Sequence, residues 1–151
     1  MEIITASAAV SYITKVMEGL AKLYEGLAEK YAEGKETFLS LAKESARDKK
    51  SIEWAYYGII SDKLEACFCF SDFNTDNYSI KTELPEDIGY SDALSVLLDT
   101  EGEIQRFLLD AAKQSRSLVP DVSWIFERVG KKRTKRIAKL RLLLEKITRG
   151  G

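Results

Sequence analysis

Apolar residues recur at steps of three and four along four stretches of the chain, which is the spacing of one face of an α-helix. The pattern predicts helices over residues 7–33, 36–65, from 91 to the break at Pro120, and 121–148. Ser91 and Asp121 are predicted to cap the third and fourth helices, because both side chains can accept a hydrogen bond from a first turn. Short links join the first helix to the second and the third to the fourth, so the helices of each pair are expected to be antiparallel.

The residues between the second and third helices form a long segment without helical periodicity. Its sequence over residues 68–90, FCFSDFNTDNYSIKTELPEDIGY, is rich in turn-forming Asn, Asp, Pro and Gly. So long an irregular connection is unusual within a compact domain. It is required when consecutive helices lie parallel, because the chain must then travel the length of the bundle. The pattern therefore predicts an all-α, ferritin-like four-helix bundle with one long crossover between helices two and three, in a single domain over residues 1–151.

Polar residues interrupt the apolar stripe near the middle of three predicted helices. They are Ser45 and Asp48 on the second helix, Glu101 on the third, and Arg133 and Arg136 on the fourth. Because the interruptions fall at similar depth, two carboxylates and two guanidinium groups are expected to meet in one layer of the core. The sequence leaves one alternative open, in which Asp48, Arg133 and Arg136 point to solvent from an exposed helix face.

Composition excludes several classes of function. The chain has no histidine, which rules out Ser-His-Asp and Cys-His nucleophilic sites, His-ligated zinc and the Glu-x-x-His ligands of di-iron proteins. No glycine-rich phosphate-binding loop occurs. Hydrophobic residues make up 45% of the chain, charged residues 31%, and the net charge is −1. These values are typical of a globular protein without general affinity for nucleic acid.

The sequence also predicts a cytoplasmic protein without a membrane partner. The first residues lack the basic start and apolar run of a signal peptide, and no stretch reaches the roughly 20 apolar residues of a membrane span. Cys67 and Cys69 are too few and too close together for a disulfide framework. Structural thiols are favoured for this pair over a metal-binding or redox role, because no histidine or further cysteine accompanies them.

The first half of the chain resembles the rubrerythrin branch of the ferritin-like superfamily. The resemblance lies in the segment MEGLAKLYEGLAEKYAEGKETFLSLAKESARD, where Tyr24 and Ala28, then Phe38 and Ala42, match the spacing of two family landmarks. A fainter second copy follows at Leu108, Ala112, Phe126 and Gly130. The landmarks are mostly packing residues, and together the two copies cover nearly the whole chain.

The resemblance also indicates which positions would hold the family's two iron ions. Those positions are Met17, Ser45, Asp48, Glu101, Ile104, Arg133 and Arg136. Two carboxylates remain of the family's set, and two fixed cations oppose the binding of a metal cation. The resemblance therefore implies a degenerate metal site filled by an ion-pair cluster, with no cofactor and no catalytic residue. The leading function is a non-catalytic interaction or structural module.

Two alternative functions stay open. The first is a di-iron-carboxylate oxidoreductase of the rubrerythrin type, or an iron-binding protein, with the atypical ligands Glu18, Glu44, Asp48, Glu101 and Glu103. The second is binding of nucleic acid by a basic stripe on the last helix, because clustered cations neutralise phosphates. The stripe consists of Arg128, Lys131, Lys132, Lys135, Lys139 and Arg141. Neither a groove-reading motif nor an aromatic stacking pattern is apparent beside it in the sequence.

The aromatic residues are expected to fill the core and an interface. The set comprises Tyr12, Tyr24, Tyr31, Trp54, Tyr56, Tyr57 and Trp124. Because ferritin-like relatives commonly dimerise through such surfaces, the predicted partner is a second copy of the chain, alongside an unidentified protein partner.

Overall fold

The computed structural model of the chain describes residues 1–3, 5–57 and 70–150. The described residues form four α-helices: α1 (Ala6–Lys30), α2 (Lys35–Tyr57), α3 (Tyr90–Ser115) and α4 (Pro120–Gly150). No β-strand occurs among them, apart from an isolated antiparallel bridge between Glu2 and Asn74. The predicted all-α class is confirmed. No helix in the described ranges is long and apolar enough to cross a membrane.

The first two helices differ from their predicted ranges. Thr5 caps α1 by accepting a hydrogen bond from the amide of Ala8 at 3.1 Å. The helix ends at Lys30, three residues before the predicted end, because Tyr31 adopts an extended conformation. A 3₁₀ turn over Ala32–Gly34 then leads into α2. The predicted end of the second helix at residue 65 and the cysteines Cys67 and Cys69 lie outside the described residues.

The two predicted N-caps are wrong. Residue 91 lies inside α3, which begins at Tyr90 and has Gly89 as its N-cap without a side-chain hydrogen bond. Asp121 lies in the first turn of α4, whose first residue is Pro120. Proline suits the first helical position, because its missing N–H would have no partner there and its fixed φ is already helical.

Contacts between α1 and α2 show that these helices are antiparallel. Near the middle of α1, Glu18 pairs with Lys49, the two charged atoms being 3.2 Å apart. Further along α1, the ring of Tyr24 stacks on that of Phe38, near the start of α2. A later residue of α1 thus meets an earlier residue of α2, as the short link requires.

Helices α3 and α4 are antiparallel for the same reason. Ser123, near the start of α4, donates to the carbonyl oxygen of Ala112 at 2.6 Å, near the end of α3. Earlier on α3, Gln105 donates to the carbonyl oxygen of Gly130 at 2.9 Å.

Helix α2 also lies antiparallel to α4. Glu44 contacts Lys139, whereas Asp48, one turn later on α2, contacts Arg136, one turn earlier on α4. Because α2 and α3 are both antiparallel to α4, they point in the same direction. Residues 70–89, the described part of the connection between these two helices, lead into the start of α3.

The described part of this connection runs beside α1 along its whole length. Near the start of α1, the amide of Ile3 donates to the carbonyl oxygen of Phe73 at 2.7 Å. Near its end, the hydroxyl of Tyr31 donates to the carbonyl oxygen of Ile88 at 2.6 Å. Between these points the segment contains one 3₁₀ turn, Thr75–Asn77, and otherwise lacks regular structure.

The aromatic residues divide between core and surface. Tyr24 and Tyr56 are buried, and Tyr12 and Tyr31 are half-buried. Trp54, Tyr57 and Trp124, which were expected in the core or an interface, are 79%, 73% and 58% exposed in the single chain. Each tryptophan lies two residues from an inward-facing position. Two residues correspond to a rotation of about 200° around the helix axis, so the tryptophan side chains face outward.

Candidate functional site

Arg133 lies at the centre of the bundle and is fully buried. Its Nη1 donates to Oε2 of Glu101, on α3, at 2.6 Å. Its Nη2 is 3.6 Å from Oδ2 of Asp48, on α2. One guanidinium group therefore joins α4 to both α2 and α3, and the solvent-facing alternative for Arg133 is wrong.

Arg136, one turn further along α4, continues the cluster towards the surface. Its Nη2 donates to Oδ2 of Asp48, and its Nε is 3.3 Å from Oε2 of Glu44. The other carboxylate oxygen of Glu44 is 3.2 Å from Nζ of Lys139. Arg136 and Asp48 are buried, whereas Glu44 and Lys139 are partly exposed. The charges thus form a continuous row from the core to solvent.

Tyr24 brings α1, the remaining helix of the bundle, into the cluster. Its hydroxyl donates to Oε1 of Glu101 at 2.7 Å, so both oxygens of this buried carboxylate accept a hydrogen bond. Burial raises the pKa of Tyr24 well above its usual value, and the negative charge of Glu101 raises it further. Tyr24 therefore stays a neutral hydrogen-bond donor at physiological pH.

The charge on Arg133 is maintained by its neighbours. Burial alone lowers the pKa of this guanidinium, but the carboxylates of Glu101 and Asp48 raise it by more, so the net shift is upward. A buried arginine that stays charged cannot act as a general acid or base at neutral pH, because it never releases its proton. Arg133 therefore provides a fixed charge and does not transfer protons.

Hydrogen bonding within the cluster is incomplete. Among the described residues, five buried atoms of the cluster have no hydrogen-bond partner: Nε and Nη2 of Arg133, Nη1 of Arg136, Oε2 of Glu44 and the hydroxyl of Ser45. Three carboxylates (Glu44, Asp48 and Glu101) face three cations (Arg133, Arg136 and Lys139), so the network is electrically balanced. Ion pairs of this kind offset their desolvation cost only when geometry and hydrogen bonding are good.

All of the positions that the family resemblance assigns to metal ligands are buried. They are Met17, Ser45, Asp48, Glu101, Ile104, Arg133 and Arg136. The charged members make the direct contacts described above. Sequence reasoning missed three participants, Tyr24, Glu44 and Lys139, as members of this cluster. The participation of Tyr24 could have been predicted from the sequence, because Tyr24 lies on the inward stripe of α1 and a buried tyrosine hydroxyl needs a hydrogen-bond partner.

The alternative set of carboxylate ligands is not assembled. Glu18 is exposed and pairs with Lys49 at 3.2 Å and with Lys22 at 3.7 Å. These lysines, chiefly Lys49 through its hydrogen bond, lower the pKa of Glu18. Glu103 pairs with Arg106 on its own helix at 2.7 Å. Within the described ranges, no group of three or more His, Cys, Asp or Glu side chains is placed to hold a metal ion.

The basic face of α4 has two parts. Arg128, Lys131, Lys132, Lys135 and Arg141 are exposed, whereas Lys139 is partly buried and bonded to Glu44. An aromatic residue that the sequence pattern did not associate with this face lies beside it. The guanidinium carbon of Arg128 is 5.2 Å from the centre of the exposed Trp124 ring. A groove of about 410 Å³ passes between this tryptophan and the basic residues as far as Lys135.

Comparison of the chain with protein-family models, curated proteins and solved structures found no match.

Proposed function

We propose that the protein is a ferritin-like bundle in which buried ion pairs replace the di-iron site, and that it serves as a non-catalytic interaction or structural module. The observation that supports this proposal is the pairing of Arg133 with Glu101 and of Arg136 with Asp48. All four positions are ones that the resemblance to rubrerythrins assigns to metal ligands. The common direction of α2 and α3, with a connection along the bundle, is also what a ferritin-like topology requires.

The charges and hydrogen bonds of the cluster oppose the binding of iron. Both oxygens of Glu101 are engaged, one by Arg133 and one by Tyr24. A metal ion that bound here would have to break these hydrogen bonds and lie beside two guanidinium groups in a medium of low dielectric constant. The rubrerythrin-type oxidoreductase is therefore the less favoured alternative, and a role in binding or scaffolding is preferred.

Metal addition tests this proposal. Protein purified without chelator is analysed for bound metal and then melted with increasing Fe(II), under anaerobic conditions, or Zn(II). We expect no stoichiometric metal and no change in melting temperature, because only a ligand that binds the native state selectively stabilises it. A saturable, stoichiometric rise in melting temperature would contradict the proposal and favour the iron-binding alternative.

A variant with restored ligands provides the matched positive control. It combines Met17→Glu, Ser45→Glu, Asp48→His, Arg133→Glu and Arg136→His with the native Glu101, so six of the seven ligand positions are restored and Ile104 is unchanged. We expect this variant to gain bound metal and to melt at a higher temperature with metal than without it. If a variant that folds by circular dichroism bound no metal, the helices would not be spaced as in a ferritin-like site.

A second candidate function, single-stranded nucleic-acid binding, is supported by Trp124. Exposed aromatic rings beside cations stack bases while the cations neutralise phosphates, and Trp124 lies beside Arg128 in this way. The chain has 2 tryptophans, so a Trp54→Phe variant leaves Trp124 as the sole tryptophan reporter. Fluorescence quenching by a short oligonucleotide that weakens with salt would favour this function. Unchanged fluorescence at low salt would eliminate it.

The homodimer expected from the aromatic residues stays a prediction. Sedimentation equilibrium of the purified chain tests it directly, and a monomer mass at all concentrations would contradict it.

A further inference from the structure

A cleft of about 220 Å³ opens between α2 and α4 at the outer end of the ion-pair cluster. Its lining consists only of charged residues: Glu44, Arg47, Asp48, Lys132, Lys135 and Arg136. The volume is several times the roughly 30 Å³ share of one water molecule in the liquid. A small hydrated polar group therefore fits the cleft.

The charges that line the cleft are unbalanced. Asp48 is bonded to Arg136, and Glu44 is paired with Arg136 and with Lys139. Arg47, Lys132 and Lys135 make no ion pair with any residue in the described part of the chain. Four cations against two carboxylates give the lining an excess of two positive charges.

One of the lining residues is a buried donor with hydrogen-bonding capacity left over. Arg136 is only 3% exposed, and within the described ranges its Nη1 has no hydrogen-bond partner. A buried N–H that lacks an acceptor loses its hydration without replacement. The guanidinium is held in place by Asp48 and Glu44, so it is oriented before any ligand arrives. Binding to it therefore requires little ordering of the side chain.

We propose that this cleft binds an oxyanion of the phosphate class. Arg136 supplies a fixed, buried positive charge on the wall of the cleft, and Arg47, Lys132 and Lys135 supply exposed cations around it. Guanidinium groups match the oxygens of phosphate with parallel hydrogen bonds. A phosphate group carries one to two negative charges at neutral pH, which matches the excess charge of the lining. A metal cation is disfavoured by the same excess.

The phosphate group could come from two sources with the same chemistry. One is free inorganic phosphate or a small phosphorylated molecule. The other is the backbone of a nucleic acid in the groove beside Trp124, because Lys132 and Lys135 line both that groove and the cleft. The site proposed here depends on neither the ferritin-like assignment nor the stacking role of Trp124.

The test uses the full chain in a phosphate-free buffer of low ionic strength. Calorimetric titrations are run with inorganic phosphate, with pyrophosphate and with a short single-stranded oligonucleotide, and sodium chloride of equal ionic strength provides the blank. Arg47→Gln and Lys135→Gln remove exposed cations at the entrance. Lys146→Gln, an exposed lysine further along α4, removes the same charge away from the cleft and is the matched control.

We expect saturable binding that is at least tenfold weaker in Arg47→Gln and in Lys135→Gln, and unchanged in Lys146→Gln. Binding of phosphate or pyrophosphate would indicate a free ligand, and binding of the oligonucleotide alone would indicate a nucleic-acid backbone. In either case the Nε–H resonance of Arg136 should shift on saturation in an NMR titration. Failure of all three ligands to bind, or equal weakening in all three variants, would overturn the proposal.

Discussion

Arg133 on α4 and Glu101 on α3 form an ion pair that is fully buried, with Nη1 and Oε2 2.6 Å apart. The pair lies where the apolar stripes of both helices are interrupted, and the adjacent turn of α4 repeats the arrangement with Arg136 and Asp48. Charges that would be costly in isolation are tolerated here because each faces an opposite charge. The same arrangement makes the core sensitive to removal of any one partner.

The first prediction concerns removal of this ion pair. Glu101→Ala should lower the free energy of unfolding by on the order of 3–5 kcal/mol, because it leaves Arg133 buried with a more distant carboxylate only. Replacing the pair together, with Glu101→Leu and Arg133→Met, should recover most of the loss, since the desolvation cost disappears with the attraction. Denaturant midpoints of the wild type, Glu101→Leu, Arg133→Met and the variant with both changes measure the coupling.

The size of the coupling distinguishes a buried pair from an exposed one. A surface ion pair gives less than about 1 kcal/mol, and salt weakens it. Coupling near zero between Glu101 and Arg133 would mean that the arginine reaches solvent in solution. The proposal that ion pairs replace a metal site would then be wrong.

The second prediction concerns the hydroxyl of Tyr24. Tyr24→Phe should destabilise the protein by about 1–3 kcal/mol, because Oε1 of Glu101, in a buried site, loses the one donor that it has among the described residues. Tyr31→Phe is the control, since that hydroxyl bonds a carbonyl at a partly exposed position and its loss should cost less. In the background without Glu101 and Arg133, Tyr24→Phe should be neutral or stabilising. An equal cost in both backgrounds would show that the hydroxyl does not act through Glu101.

Alkaline pH provides an independent check on Tyr24. The native pKa of this residue is raised by burial and by Glu101, so the unfolded chain releases the proton first. The contribution of Tyr24 to the free energy of unfolding is therefore complete below about pH 10, the usual pKa of tyrosine. This contribution declines as pH rises above that value. The difference in stability between the wild type and Tyr24→Phe should narrow above pH 10. A constant difference would mean that the native pKa is not raised.

The third prediction compares two glycines. A Cβ atom at Gly34 would lie 2.7 Å from Cε2 of Phe38 and 2.8 Å from the hydroxyl oxygen of Tyr90. Because Phe38 is fully buried, its ring has little room to move, and Gly34→Ala should cost about 1–3 kcal/mol. Gly26 lies within α1 and its added Cβ would meet nothing within 4 Å. Gly26→Ala should therefore stabilise the protein by about 0.5–1 kcal/mol through helix propensity. Thermal melts that gave both variants the same sign would contradict this packing.

The fourth prediction concerns proteolysis of the long connection. Its polar composition alone predicts early cleavage throughout residues 71–83. In the structure, the backbone of Phe73 and Thr75 is hydrogen-bonded to the N-terminal residues, and both side chains are buried. No backbone N–H of residues 82–87 makes a backbone hydrogen bond within the described chain. Within the described connection, proteinase K should therefore cut residues 82–87 before residues 72–78.

A single variant tests the reason for that order. Phe73→Ala removes the buried ring that packs the first part of the connection against Phe107 of α3, so early cuts should then appear at residues 72–78 as well. Mass spectrometry of the first fragments locates the cuts. Early cleavage at residues 72–78 in the wild type would show that the contacts with Met1 and Ile3 do not protect this segment.

The placement of helix ends depended on contacts that the sequence pattern does not contain. Ser91 is a good N-cap by residue type, yet α3 begins at Tyr90. The ring of Tyr90 packs against Tyr31 and Phe38, and this packing favours an earlier start than a capping hydrogen bond would give. Residue preference at a helix end is worth about 1 kcal/mol, which tertiary packing readily outweighs.

What the sequence alone determined was the helical class of the chain and the positions at which polar residues face the core. Both follow from periodicity, since residues three or four apart share a helix face whatever the rest of the chain does. The partners were decided only by the tertiary structure. Arg133 bonds a carboxylate 32 residues away and Arg136 one 88 residues away, and no local rule selects between the two acids. The docking of α4 against α2 and α3 makes that choice, because it fixes which carboxylate lies within reach of each guanidinium group.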